Sequence, residues 1–198
     1  MKNYINFLAV FFIFLNSCSG QSQILDITAP KEGFVGIKGA YYKDTKNVLN
    51  GYDGTYVYTN GNTSLKIKLQ KNIKTSMNGA YYEDLIVGEY QLIENGIEKV
   101  NTLSKLTSTS NSNNISGTRI LTGTVLGCDD CRADEKRLRL GIISSPQVGE
   151  IDIRKTTVNG KSAIIAEIWY TGPMAVREGQ PKPKPAIIKG GKYLMIKQ

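Results

Sequence analysis

The stretch 51–69, GYDGTYVYTNGNTSLKIKL, decides the fold class of this chain. Tyr56 and Tyr58 lie on one face of an extended segment, because successive side chains of a strand point to opposite faces. The dipeptide Asn60-Gly61 follows, and it is typical of a tight turn between antiparallel strands. Beyond the turn, every second residue is apolar, at Leu65, Ile67 and Leu69. This alternation around a turn predicts a β-hairpin.

The same pattern recurs along the rest of the chain. Further Asn-Gly pairs stand at Asn50-Gly51, Asn78-Gly79, Asn95-Gly96 and Asn159-Gly160. Four of the five pairs separate candidate strands and predict type I′ turns, which allow positive φ at both central residues. The predicted strands cover residues 54–59, 64–76, 80–93, 97–106, 118–126, 136–143, 150–158, 161–170 and 192–197.

Strands joined by short turns predict an all-β domain with an antiparallel meander. About 8–10 such strands would most economically close into an up-and-down barrel. A two-sheet β-sandwich is the alternative, and periodicity does not distinguish the two. Residues 44–50 predict one or two helical turns before Gly51, and this lead-in resembles the start of lipocalin-like barrels.

The N terminus has the pattern of an export signal. Lys2 precedes the apolar run 7–15, which is too short to span a bilayer, since a spanning helix needs about 20 residues. The tetrapeptide LNSC that ends at Cys18 resembles a bacterial lipobox. We therefore predict a signal peptide over 1–17 and lipid attachment at Cys18. An ordinary signal peptide cut near residue 20 is the alternative.

This reading divides the chain into a signal peptide, a lipidated tether over 18–33 and a single all-β domain over 34–198. The mature protein is expected in the cell envelope, held to a membrane by the lipid on Cys18. No acidic cluster follows Cys18, so a periplasm-facing position is expected rather than the cell surface.

The composition excludes several classes of site. The chain of 198 residues carries 25 Lys and Arg against 17 Asp and Glu, and it contains no histidine. Ser-His-Asp and Cys-His nucleophiles and most zinc sites are therefore excluded. The lysines mostly alternate with apolar residues, as on a solvated sheet face, so no nucleic-acid partner is expected. We predict no catalytic residue, metal site or cofactor, and we expect that the protein is not an enzyme.

The two cysteines Cys128 and Cys131 form the sharpest local motif. In an oxidising compartment, this spacing most simply predicts a small-loop disulfide. A redox-active pair needs a lowered thiol pKa, which the acidic Asp129 and Asp130 oppose. A calcium ion held by the neighbouring carboxylates and a free, inert pair remain as alternatives.

Aromatic residues form a second candidate constellation. If the sheet closes, some of them point inward and could line a cavity, with hydroxyl groups available to orient a ligand. The alternative is ordinary core packing or aromatic ladders on the outer face. The candidate ligand-binding residues are Tyr56, Tyr58, Tyr90, Trp169 and Tyr170.

The chain resembles a family of uncharacterised Bacteroidota lipoproteins that carry a domain of unknown function. The resemblance rests on LNSC at 15–18, NGYDGTYVYTNGNTSLKI at 50–67, YYEDLIVGEY at 81–90 and IENGIEK at 93–99. It implies an exported all-β protein and supplies no activity to transfer.

Two functions follow as expectations. The first is a non-enzymatic envelope module that binds a small apolar or glycan-like ligand in its barrel. The second is a structural module that docks an envelope partner through an exposed face or through the basic segment 181–198.

Overall fold

The computed structural model describes residues 22–31, 36–106, 112–124, 128, 130–170 and 184–198. The strands are β1 Ile24–Asp26, β2 Tyr41–Lys43, β3 Gly54–Asn60, β4 Thr63–Met77, β5 Tyr81–Glu94, β6 Ile97–Asn101, β7 Ile115–Thr122, β8 Lys136–Ser144, β9 Gln147–Val158, β10 Lys161–Tyr170 and β11 Gly191–Lys197. The helical segments of the described residues are two 3-10 helices, Leu49–Tyr52 and Leu103–Lys105. In the described part of the chain, no helix has the length and apolar character needed to cross a bilayer. The predicted signal peptide over 1–17 and Cys18 lie outside the described residues.

Eight strands form a closed antiparallel barrel, in the order β3, β4, β5, β7, β8, β9, β10, β11. Two pairings close it. Val57 in β3 pairs with Ile196 in β11, which joins the first barrel strand to the last. Gly88 in β5 pairs with Ile115 in β7, although β6 stands between these strands in the chain. The predicted up-and-down, lipocalin-like barrel is confirmed, and the β-sandwich alternative is not formed.

One edge of β5 pairs with β4, and three other strands pair with different parts of its opposite edge. Residues 82–83 pair in parallel with β2, residues 86–88 pair with β7, and residues 91–94 pair with β6. The strand β1 extends the sheet by pairing in parallel with β2. The β5–β6 pairing is a hairpin over Asn95-Gly96, whereas the pairings of β2 with β1 and β5 and of β7 with β5 join strands that are distant in the chain, and no local sequence pattern predicts them.

The first described strand lies within the segment predicted as the tether. The predicted tether over 18–33 contains β1, and Ile27 is buried in the main core. Asp26 anchors this segment, because its carboxylate accepts hydrogen bonds from the amide of Thr28 and the hydroxyl of Thr45. The hydroxyl of Thr28 also donates to this carboxylate, and that bond, together with those from the Thr45 hydroxyl and the Thr28 amide, lowers the pKa of Asp26 to about 2.

The helical prediction over 44–50 is also corrected. Asn47 adopts a φ of 54°, a left-handed conformation that interrupts a right-handed helix. The 3-10 helix starts only at Leu49, and the carboxylate of Asp44 accepts hydrogen bonds from the amides of Val48 and Leu49. Asp44 therefore orders the chain that leads into a single short turn, which starts near the end of the predicted helical range.

Three Asn-Gly pairs have positive φ at both residues, at 78–79, 95–96 and 159–160. The opening hairpin differs. Asn60 is the last residue of β3 and pairs with Thr63, so the two-residue loop consists of Gly61 and Asn62. Of these, only Gly61 has a positive φ, at 53°. The turn is therefore one residue later than the Asn-Gly pattern predicts.

Inward-facing side chains fill the middle of the barrel. Alternation places apolar residues of each strand on the inside, where they are at most 5% exposed. The inner rows include Leu65, Ile67, Leu69, Ile86, Tyr90, Leu92, Leu138, Leu140, Ile142, Ile151, Ile153, Ile164, Ala166, Ile168 and Met195. The space for a ligand therefore lies at the ends and sides of the barrel.

Candidate functional site

A partly open cavity of about 300 Å³ lies at one end of the barrel. The end of β3, the start of β4, the end of β5, the start of β11 and the segment that precedes β11 surround it. We call it the mouth cavity. Its described lining residues are Tyr58, Asn60, Thr63, Leu92, Glu94, Ile188, Lys189 and Tyr193.

Two tyrosines form the aromatic wall of the mouth cavity. Tyr58 and Tyr193 pack edge to face, with ring centroids 5.0 Å apart and planes at 85°. The pairing of Val57 with Ile196 makes the two tyrosines diagonal neighbours across β3 and β11. Aromatic side chains reach each other at such positions. The first barrel strand, β3, therefore supplies one ring of this wall, and the last, β11, supplies the other.

The hydroxyl of Tyr193 is fixed by a second contact. It donates a hydrogen bond to the backbone carbonyl of Lys189, at 2.6 Å. Burial raises the pKa of Tyr193 above its ordinary value, and the neighbouring Tyr170, Tyr58 and Glu94 add to the effect. This hydroxyl therefore stays protonated at neutral pH and remains a hydrogen-bond donor to Lys189.

Polar groups share the mouth cavity with the aromatic wall. Asn60 contributes an amide, Thr63 a hydroxyl, Glu94 a carboxylate and Lys189 an ammonium group. The two formal charges cancel, so the described lining has no net charge. A cavity with aromatic faces, neutral hydrogen-bonding groups and balanced charge suits a small, uncharged, polar ligand.

A protein-family model matches residues 1–198, and its description is a family of unknown function, DUF6705. The chain belongs to the DUF6705 family. No curated protein and no solved structure shows a significant match to it.

The other candidate tyrosines of this DUF6705 chain do not line the mouth cavity. Tyr56 is 2% exposed, its hydroxyl donates to the carbonyl of Tyr52, and burial raises its pKa to about 12. Tyr90 is equally buried and donates to the carbonyl of Ile143 at 2.7 Å. Tyr170 is half-buried against the core. These three rings stabilise the interior rather than face solvent.

Trp169 is corrected as an inward-facing candidate. Its neighbours Ile168 and Tyr170 both pack on the core, so Trp169 points to the outside of the barrel. There the guanidinium group of Arg139 lies 4.7 Å from the ring centroid. The indole therefore covers an ion-paired arginine and does not line the mouth cavity.

The outer face next to Trp169 holds a buried ion-pair network. Asp152, which is 3% exposed, accepts from Arg137 at 2.6 Å and from Arg139 at 2.7 Å. Arg139 also pairs with Glu150 at 3.1 Å. Sequence reasoning did not single out these arginines. In the observed register Asp152 on β9 lies directly opposite Arg139 and Arg137 lies opposite Arg154, so Asp152 reaches Arg137 diagonally.

The structure links Cys128 to Cys131 as a disulfide. The guanidinium group of Arg154 lies 3.5 Å from both sulfur atoms and pairs with Asp130 at 2.9 Å. The hydrogen bond from Arg154 lowers the pKa of the Asp130 carboxyl. Cys128, Asp130 and Cys131 are also the one group of potential metal-binding atoms in the described residues. Because both sulfurs are in a disulfide, this group lacks the thiolates that bind metals.

The basic segment 181–198 falls into three parts. Residues 181–183 lie outside the described residues. The next residues lie against the β8–β9 turn, where Gln147 donates to the carbonyl of Lys184 and the amide of Ile188 donates to Ser144. The remainder is β11, a strand of the barrel wall. Most of this segment is therefore part of the fold.

Proposed function

We propose that this DUF6705 protein is a non-enzymatic module that binds a small, neutral, glycan-like ligand in the mouth cavity. One observation carries the proposal. The barrel interior is filled, whereas the mouth combines the Tyr58–Tyr193 wall with hydrogen-bonding groups around a space of about 300 Å³. This volume lies at the lower limit of ordinary ligand pockets, which span roughly 300–1,000 Å³.

The chemistry of the lining favours a glycan over an apolar ligand. A long acyl chain needs a deep apolar channel, and buried aliphatic residues occupy the barrel where such a channel would run. A sugar ring instead offers C–H groups that pack on an aromatic face and hydroxyls that pair with amide, hydroxyl and carboxylate groups. Tyr58, Asn60 and Glu94 supply these partners at the mouth.

The lining also favours binding over catalysis. Glycoside hydrolysis ordinarily uses two carboxyl groups separated by roughly 5–9.5 Å. Of the described residues around the mouth cavity, Glu94 alone carries a carboxylate. The chain has no histidine that could act as a general base in its place. The proposed module therefore holds its ligand without changing it.

The proposed location is the cell envelope, facing the periplasm, with the chain exported through a signal peptide over 1–17. The lipobox-like LNSC supports lipid attachment at Cys18, and the family resemblance supports a Bacteroidota lipoprotein. The disulfide between Cys128 and Cys131 is in keeping with an oxidising compartment. Palmitate labelling of cells that express the wild-type chain or Cys18→Ser tests the anchor. Label on the wild type alone supports it, and equal label on both rejects it.

The ligand is tested with neutral oligosaccharides from cell-wall and capsular polysaccharides. Binding is followed by the intrinsic tyrosine fluorescence of the purified protein and by calorimetry. We expect saturable binding that Tyr58→Ala removes. Tyr82→Ala is the matched control, because Tyr82 is 40% exposed and does not line the mouth cavity. Equal binding by the wild type and Tyr58→Ala would reject the mouth as the site.

A further inference from the structure

The barrel wall has a gap beside β7. The residues of β7 that follow Gly117 do not pair with β5, because the corresponding part of β5, residues 82–83, pairs with β2. Among the described residues, no strand pairs with that edge of β7 from Thr118 onward. The N-terminal segment after β1 lies along the gap, and a cavity of about 370 Å³ remains between the two. We call it the side cavity.

The side cavity has an apolar floor. Ile27 is 6% exposed and belongs to the main core, and Ala29 and Ile120 pack against the same core. All three line the cavity. At the ~30 Å³ that one water molecule occupies in the liquid, the cavity holds roughly a dozen non-hydrogen atoms. The floor therefore suits a short hydrocarbon chain.

The rim of the side cavity is cationic. Lys31 and Arg119 line it, together with two threonines and no carboxylate among the described residues. Lys31 is already paired with Glu83. Arg119 is exposed, makes no ion pair within the described part of the chain, and lies directly opposite Arg139 in the sheet. The charge of Arg139 is balanced by Asp152 and Glu150, so among the described residues Arg119 is the cation at this rim that is free to pair with an anion.

A second group at this wall also lacks a partner. The hydroxyl oxygen of Thr118 is buried and has no hydrogen-bond partner in the described residues. Buried hydroxyls normally have one. The unpaired hydroxyl and the unpaired guanidinium of Arg119 are neighbours along the same edge of β7. Within the described part of the chain, this stretch of wall therefore offers an unused hydroxyl and an unused guanidinium group to a ligand.

We propose that the side cavity binds an anionic amphiphile of about ten carbon atoms, a size that follows from the cavity volume. Its carboxylate pairs with Arg119 at the rim, and its hydrocarbon chain packs on Ile27, Ala29 and Ile120. This site differs in charge from the mouth cavity, whose described lining is neutral. The proposal does not depend on the glycan ligand, since the two cavities share no described lining residue.

Calorimetric titration of the purified protein tests the side cavity with decanoate and with the uncharged decanol, both below their aggregation limits. We expect saturable decanoate binding that weakens about tenfold in Arg119→Gln, because a charge-assisted pair is lost. Decanol binding should be unchanged by that substitution. Arg132→Gln is the matched control, since Arg132 is an exposed arginine outside the cavity lining.

Two further measurements localise the ligand. Decanoate should shift the amide resonances of Ala29, Thr118 and Ile120, and Ala29→Phe should block binding by filling the cavity. Tyr58→Ala should bind decanoate like the wild type, so loss of the mouth ligand leaves this result intact. The absence of saturable decanoate binding, equal affinity in Arg119→Gln, or shifts elsewhere in the barrel would each overturn the proposal.

Discussion

Gly88 lies directly opposite Ile115, and this pairing joins the two halves of the meander into a barrel. A Cβ atom at Gly88 would stand 2.7 Å from Cδ2 of Leu69 and 2.9 Å from the backbone oxygen of Lys68. The first contact could be relieved by a side-chain movement, but the second is with backbone. The close approach of β4 to β5 at this position therefore requires a residue without a side chain.

Substitution of Gly88 by alanine should destabilise the barrel by about 2 kcal/mol, because the added methyl group overpacks the core beside a backbone atom. Chemical denaturation measures the free energy of unfolding. Gly141→Ala is the control, since a Cβ there meets its nearest atom, the backbone oxygen of Ser116, at 3.6 Å. Equal stability of the two variants would contradict the tight approach at Gly88.

Removal of Asp152 should destabilise the outer face strongly. Its carboxylate accepts hydrogen bonds from both Arg137 and Arg139 inside a nearly buried network. Breaking a buried pair by removing one partner costs about 3–5 kcal/mol. We expect a loss of about 3 kcal/mol for Asp152→Ala in denaturant melts.

The control for that network is Asp134→Ala. Asp134 pairs with Arg132 at 3.6 Å, and both side chains are about 80% exposed. Exposed pairs contribute at most about 1 kcal/mol. A loss of similar size in Asp134→Ala and Asp152→Ala would show that burial does not strengthen the inner network.

Glu83 should make stability depend on pH. Burial raises the pKa of this carboxyl above its ordinary value of 4.5, and the pairing with Lys31 opposes that effect only in part. A raised folded-state pKa gives a contribution that is present below about pH 4.5 and is lost as the pH rises through the folded-state pKa. Glu83→Gln has no such titration, so its curve of unfolding free energy against pH should be flatter above pH 4.5.

Melts in guanidinium chloride from pH 4 to pH 8 compare the wild type, Glu83→Gln and the control Glu98→Gln. Glu98 is exposed, and its carboxylate contacts only neutral amide groups among the described residues. Its variant should follow the wild-type curve. Wild-type stability that does not change with pH relative to Glu83→Gln would contradict the assignment.

Local patterns predicted much of the barrel from the sequence. The strand predicted over 136–143 matches β8, whose alternating Leu138, Leu140 and Ile142 face the core. The pairs Asn95-Gly96 and Asn159-Gly160 form the turns expected of them. The alternation of side chains along a strand places Trp169 on the outside, because Ile168 and Tyr170 face the core. The error at Trp169 therefore came from grouping aromatic residues by type rather than by strand face.

Long-range relationships were beyond the reach of these patterns. The parallel pairing of Ile24 with Tyr41 depends on tertiary contacts of Ile27 and Asp26, and no turn connects the two strands directly. Tyr193 was missed as a site residue because its partner Tyr58 stands 135 positions earlier in the chain. Strand alternation places Tyr193 on the same inward face as Met195. Only the β3–β11 register, however, brings Tyr193 next to Tyr58.

The central claim is that a neutral glycan-like ligand binds at the Tyr58–Tyr193 wall. Amide and tyrosine resonances of the purified protein during oligosaccharide titration test it most directly. The account predicts saturable shifts confined to residues around Tyr58, Glu94 and Tyr193, with none in Tyr58→Ala. Shifts that persist in Tyr58→Ala, or a panel of neutral oligosaccharides that causes no saturable shift, would contradict it.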